Sequence, residues 1–158
     1  MKLYLVQHGD AAPGETDAAR PLTPKGRRDV QRLGEFLTRN GVSVSCIVHS
    51  GKLRARQTAE AIASRLPRSV AVEAREGLNP NDRARTAAQL LVGSGDNTML
   101  VAHLPLLGKL VSRLVIGSKE PALVTFVPGT ALCLERSESG SWTVAWMVRP
   151  ELLARSPR

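Results

Sequence analysis

Three short apolar runs in this chain, Leu3–Val6, Val44–Val48 and Thr98–Ala102, each give way to a histidine, and helical hydrophobic spacing resumes after each. Runs this short, bounded by glycine and polar residues, have strand character. Strands alternating with amphipathic helices predict an α/β layered fold with a mostly parallel central sheet flanked by helices. Parallel strands would carry His8, His49 and His103, the chain's three histidines, to one edge of that sheet. Ligands of open α/β sheets bind outside the carboxyl ends of the strands, so this edge is the place to expect chemistry.

The helix signals support that alternation. Thr23-Pro24 supplies a hydroxyl cap and a first-turn proline, Val30, Leu33 and Leu37 follow at helical spacing, and Asn40-Gly41 ends the segment. A second helix places Ala55, Ala59, Ile62 and Leu66 on one face. A third, short one runs through Leu90 and Leu91, and a fourth opens at Pro105 with Leu107, Leu110, Val111 and Leu114 inward. Val70–Val72 predicts a weaker strand. Ala122–Val127, Ala131–Leu134 and Trp142–Val148 predict three more, paired antiparallel across turns at Gly129 and Ser139-Gly140. A chain of 158 residues fits a single domain, taken as residues 1–150 with a loosely held tail over 151–158.

Composition narrows the function. The net charge of +8 suggests an anionic substrate or an acidic protein partner. Aromatic residues are only 3%, too few to alternate with basic residues as base-stacking platforms, so no nucleic-acid partner is expected. No apolar run reaches the roughly 18 residues of a membrane span, so no membrane partner is expected. The first residues enter a strand directly, without a signal-peptide pattern, which predicts a cytoplasmic location. Cys46 and Cys133 lie apart in apolar segments and read as buried free thiols.

At the expected site edge, Gly9 after His8 permits a close backbone approach. Arg54 and Arg56 open the helix after His49, where free N–H groups and a partial positive charge favour a phosphate, and arginine adds a bidentate grip. Arg54, nearer the amino end, is the better candidate to point inward.

Four motifs carry a resemblance in the right order from Met1 to about Val148. Gln7-His8-Gly9-Asp10-Ala11 resembles the Arg-His-Gly signature of the histidine phosphatase (phosphoglycerate-mutase-like) superfamily. Pro21-Leu22-Thr23-Pro24-Lys25-Gly26 resembles its Leu-Thr-x-x-Gly helix start, Leu53–Ala59 its second arginine motif, and Ala102–Gly108 its second-histidine motif. The His-Leu-Pro form and short chain look most like the small bacterial SixA-type phosphohistidine phosphatases. The resemblance implies a phosphoglycerate-mutase-like fold and a metal-independent phosphatase without cofactor. In it His8 takes the phosphoryl group, Arg54 and His103 complete the catalytic set, and Gln7, Gly9 and Arg20 bind substrate phosphate.

Two departures stand out. The family arginine before the nucleophile is Gln7 here, which removes a charge and makes Arg20 a candidate replacement. The carboxylic acid that relatives use as proton donor has no clear counterpart, although Glu76 and Asp82 lie near the expected loop. A phosphoester expels an alkoxide whose parent hydroxyl has a pKa near ~15.7 and needs such an acid. A phosphohistidine can leave as neutral imidazole, with a conjugate-acid pKa of about 6.5. The expected substrate is therefore a phosphohistidine side chain on a signalling protein. A small phosphorylated metabolite, handled by a phosphomonoesterase, is the enzymatic alternative, and a catalytically weak phospho-ligand or protein-binding module is the other.

Overall fold

β1 (Lys2–Gln7) is buried at every residue after Lys2, which is possible only for a strand in the middle of a covered sheet. The computed structural model describes residues 1–154. In it β1 pairs in parallel with β4 (Thr98–Ala102) and antiparallel with β5 (Ala131–Arg136). β4 pairs in parallel with β2 (Cys46–His49), which pairs in parallel with β3 (Ala71–Ala74). β6 (Trp142–Val148) closes the far edge against β5, giving the order β3-β2-β4-β1-β5-β6. This is the mostly parallel α/β architecture that the alternation of elements predicts.

Side-chain alternation along the strands builds two cores. Tyr4, Val6, Ile47, Met99 and Val101 pack against α1 (Pro24–Arg39) and α2 (Leu53–Ala63). Leu3, Leu5, Leu100 and Ala102 pack against α3 (Ala84–Gly93) and α4 (Leu106–Ile116). Thr23 caps α1 by accepting the Gly26 N–H at 2.9 Å. Gly26 in turn lets that helix come down on the loop after His8, because a side chain there would overlap the Asp10 carbonyl. Gly9 is held the same way: a β-carbon would sit 3.0 Å from the Gly26 carbonyl and 3.1 Å from Val30.

The structure differs from expectation in one element. Residues 122–127 are not a strand but an irregular strap, anchored where the Ser112 hydroxyl donates to the Pro121 carbonyl at 2.7 Å. Val124 and Phe126 alternate inward as the pattern suggests, yet they pack on the core beside α4. β5, the strand it would pair with across the Gly129 turn, already lies between β1 and β6, so neither side of it is open to the strap. Smaller shifts are that β2 starts at Cys46, Leu66 lies beyond α2, and Leu114 is only half-buried. After a short 3-10 turn at Pro150–Leu152, with Pro150 buried, the expected tail runs beyond the described residues at 155–158. Among the described residues no helix is long and apolar enough to cross a membrane.

Candidate active site

Because β1, β2 and β4 run parallel, their carboxyl ends share one edge, and all three histidines sit there. Only two of their rings are paired. The rings of His8 and His103 lie 5.1 Å apart between centroids and are tilted by 47°. His49 instead accepts the Gly51 N–H on Nδ1 at 3.1 Å and fixes the turn into α2.

His8 is held from both sides. Its backbone N–H donates to the Ala102 carbonyl at 3.1 Å, and its carbonyl accepts the Gly129 N–H at 3.1 Å. Its ring Nδ1 lies 2.7 Å from the Gly9 carbonyl. A carbonyl can only accept, so Nδ1 carries the proton and the Nε2 lone pair is free. Burial, helped by the charges of Arg54 and Arg20, pushes the His8 pKa below its ordinary 6.5, against the opposing pull of the Gly9 carbonyl and Asp17. The imidazole is therefore neutral at neutral pH, as a nucleophile must be.

His103 is almost fully buried, and its Nε2 lies 2.6 Å from the Ser50 hydroxyl. That hydroxyl also accepts the Lys52 N–H at 3.3 Å. His103 Nδ1 is buried with no partner in the protein. Burial first, then repulsion from His8 once it is protonated and from the charges of Arg54 and Lys52, hold its pKa down at about 3.

Stability should follow from this in a definite direction. Above 6.5 His103 is neutral in both states. Below 6.5 the unfolded chain takes up a proton that the folded one refuses until about pH 3. Folding stability should therefore fall as pH drops from 6.5 towards 3, by on the order of 1 kcal/mol per pH unit for this residue. Urea unfolding of wild type and His103→Gln at pH 7 and pH 5 checks it. The substitution should reduce the loss on acidification.

Arg54 and Arg56 separate as expected. Arg56 is exposed and pairs with Glu60 at 3.6 Å, while Arg54 is buried. Arg54 donates through one terminal nitrogen to the Asp17 carbonyl at 2.8 Å, and its Nε is buried without a partner. The Thr58 hydroxyl donates to the Arg54 carbonyl at 2.8 Å and accepts the Gly9 N–H at 3.0 Å, tying α2 to the His8 loop. Gly9 thus spends both backbone groups inside the protein. Gln7 is buried and its Oε1 has no partner. Arg20 lies further out, donating to the Ala12 carbonyl at 3.3 Å with a terminal nitrogen 3.7 Å from Asp17.

Asp82 spends its carboxylate on the Asn79 N–H at 2.8 Å, and Glu76 is exposed on the rim of an open hollow of about 460 Å³ that also touches Ser50. A second open hollow of similar size lies beside Asp17 and Arg20. Among the described residues no group of three or more His, Cys, Asp or Glu is placed to hold a metal ion.

Sequence patterns did not single out Ser50, Lys52, Thr58 or Asp17. Ser50 and Lys52 carried one usable signal, their place between a strand-ending histidine and a helix start. Asp17 lies in an aperiodic loop that carries none.

Residues 3–83 match the profile of the Histidine phosphatase superfamily (branch 1), and so span about half of the chain. Over 155 residues the chain is 32% identical to phosphohistidine phosphatase SixA of Escherichia coli strain K12, covering 95% of this chain and 94% of that one. The chain belongs to the histidine phosphatase superfamily. A solved structure of the protein histidine phosphatase SixA complexed with tungstate superposes with a TM-score of 0.87 at 28% identity, covering 98% of this chain and all of that one. The α-ribazole phosphatase of Shigella flexneri shares the fold, with a TM-score of 0.73 at 19% identity over 95% of this chain and 97% of its own. Within the histidine phosphatase superfamily this chain is thus matched along nearly its whole length, well past the segment the family profile covers.

Proposed function

We propose that this histidine phosphatase removes the phosphoryl group from phosphohistidine side chains of another protein, through a phosphohistidine of its own at His8. The carrying observation is the Gly9 carbonyl on Nδ1 of a half-buried, neutral His8, which leaves Nε2 free next to the His103 ring, with the buried Nε of Arg54 also unpartnered. Nε2 attacks the phosphorus of a phosphohistidine already protonated on its other ring nitrogen, the N–P bond breaks, and the departing ring keeps that proton and leaves as neutral imidazole. Water then attacks the phosphorus on His8, returning free Nε2 and inorganic phosphate. Arg54 and the Nδ1–H of His103 donate to the phosphoryl oxygens, whose charge shifts as the bonds exchange.

The choice of an N–P bond rests on the acid that is missing. Asp82 is committed to its own loop, Glu76 is exposed on the rim, and among the described residues the one buried carboxylic acid, Asp29, is paired with Lys25. The E. coli relative is named for phosphohistidine, and the tungstate in the SixA structure is a tetrahedral oxyanion like phosphate.

A phosphohistidine-bearing domain assayed beside phosphosugars and phosphoserine, with and without exhaustive EDTA, tests this. The expected result is a kcat/KM for phosphohistidine higher by at least about a hundredfold, unchanged by EDTA. Better turnover of the esters, or loss with EDTA that a divalent metal restores, would overturn it.

A further inference from the structure

Gln7 leaves the phosphoryl site one positive charge short, and the structure holds a second cation on the carboxylate that Arg54 also contacts. Lys52 sits at the amino cap of α2, two residues before Arg54 and two after Ser50. Its side chain is only 18% exposed and its ammonium lies 2.6 Å from Asp17 Oδ2. The same carboxylate oxygen lies 3.4 Å from a terminal nitrogen of Arg54. One anionic oxygen therefore already bridges Lys52 and Arg54, as an oxygen of a bound phosphoryl group would. Arg54 keeps a buried Nε with no partner, so the cation pair is not saturated by Asp17.

Arg20 fits the vacancy less well. It reaches only the other oxygen of Asp17, at 3.7 Å, and its Nε is spent on the Ala12 carbonyl.

We infer that Lys52 is the phosphoryl-binding cation that replaces the arginine lost at Gln7, with the Asp17 carboxylate holding it beside Arg54 until a phosphoryl oxygen takes that place. This rests on the phosphatase reading above. It further identifies the preferred ligand as a phosphoryl group with an exposed oxygen at the pocket mouth, where a flexible ammonium can follow it through transfer. A lysine contributes a point charge and no bidentate fork, so the exchange keeps charge and relaxes geometry.

The test is a cycle of wild type, Lys52→Met, Gln7→Arg and the double variant, with Arg20→Ala beside them. Inhibition by orthovanadate and steady-state turnover of a phosphohistidine domain are read for each. Methionine keeps most of the apolar stem, and thermal unfolding confirms that each variant is folded. Lys52→Met should weaken vanadate inhibition by on the order of tenfold to a hundredfold, the worth of a charged hydrogen bond. Gln7→Arg should recover most of that loss in the double variant while changing wild type less, and Arg20→Ala should cost less than Lys52→Met. Vanadate inhibition of Lys52→Met within twofold of an active wild type would overturn the role of Lys52 and leave the phosphatase reading standing. A wild type that neither turns over phosphohistidine nor binds vanadate would overturn both.

Discussion

Replacing His8 with alanine should abolish turnover of a phosphohistidine protein, lowering kcat by at least about a thousandfold while leaving the fold intact. The size of the effect follows from what the ring does. Its Nδ1–H is committed to the Gly9 carbonyl, and its Nε2 is the one nucleophilic lone pair that the site presents in a fixed tautomer. No neighbouring group can take over. In the proposed mechanism Nε2 of His103 is engaged with the Ser50 hydroxyl and its Nδ1–H donates to the phosphoryl group, so the ring serves as a donor and not a nucleophile. The fold should survive because the backbone of residue 8 is tied to Ala102 and Gly129 by main-chain bonds that alanine keeps. Phosphate release measured beside circular dichroism of the variant checks both halves. Turnover within tenfold of wild type would remove His8 from the chemistry.

Arg54→Ala comes next in size. Its guanidinium is buried, and only one of its contacts is to a carboxylate, at 3.4 Å. The unpartnered Nε is a donor withdrawn from water and waiting for an acceptor. A donor fixed in that way stabilises charge in the transition state without reorganising, and removing one such donor typically lowers kcat by about a hundredfold or more. His103→Ala should fall in the same range, since its Nδ1–H is poised likewise. The measurement is the division between kcat and KM. A fall mainly in kcat fits transition-state donors, and a rise in KM alone would make both residues binding groups.

The parts of this molecule legible from sequence are those where local chemistry and global packing agree. Thr23-Pro24 announced α1 because the cap and the first-turn proline are satisfied within four residues of chain. β4 and β6 were legible to the residue because they are continuous apolar or alternating runs bounded by turns. The 122–127 strap carried the same alternation and is not a strand, because both sides of its neighbour β5 are taken by β1 and β6, which is a property of the whole topology. The site divides in a similar way. His8 and His103 were visible as histidines closing strands, and Arg54 as an arginine opening a helix. His49 satisfied the same pattern, yet its ring caps a turn, a difference set by side-chain direction at the sheet edge. The contacts that tune the site join residues far apart in the chain: Ser50 to His103, Thr58 to Gly9, and Lys52 to Asp17. Short-range periodicity carries no trace of them.

Trapping the phosphoryl group on the protein tests the central claim most directly. Enzyme mixed with excess phosphohistidine domain, quenched in alkali within milliseconds and mapped by mass spectrometry, should carry one phosphoryl group on His8. That group should survive alkali, be lost in acid, and be absent from His8→Ala treated identically. Turnover without a phosphorylated enzyme, or with the label on His103 or any other residue, would contradict the account.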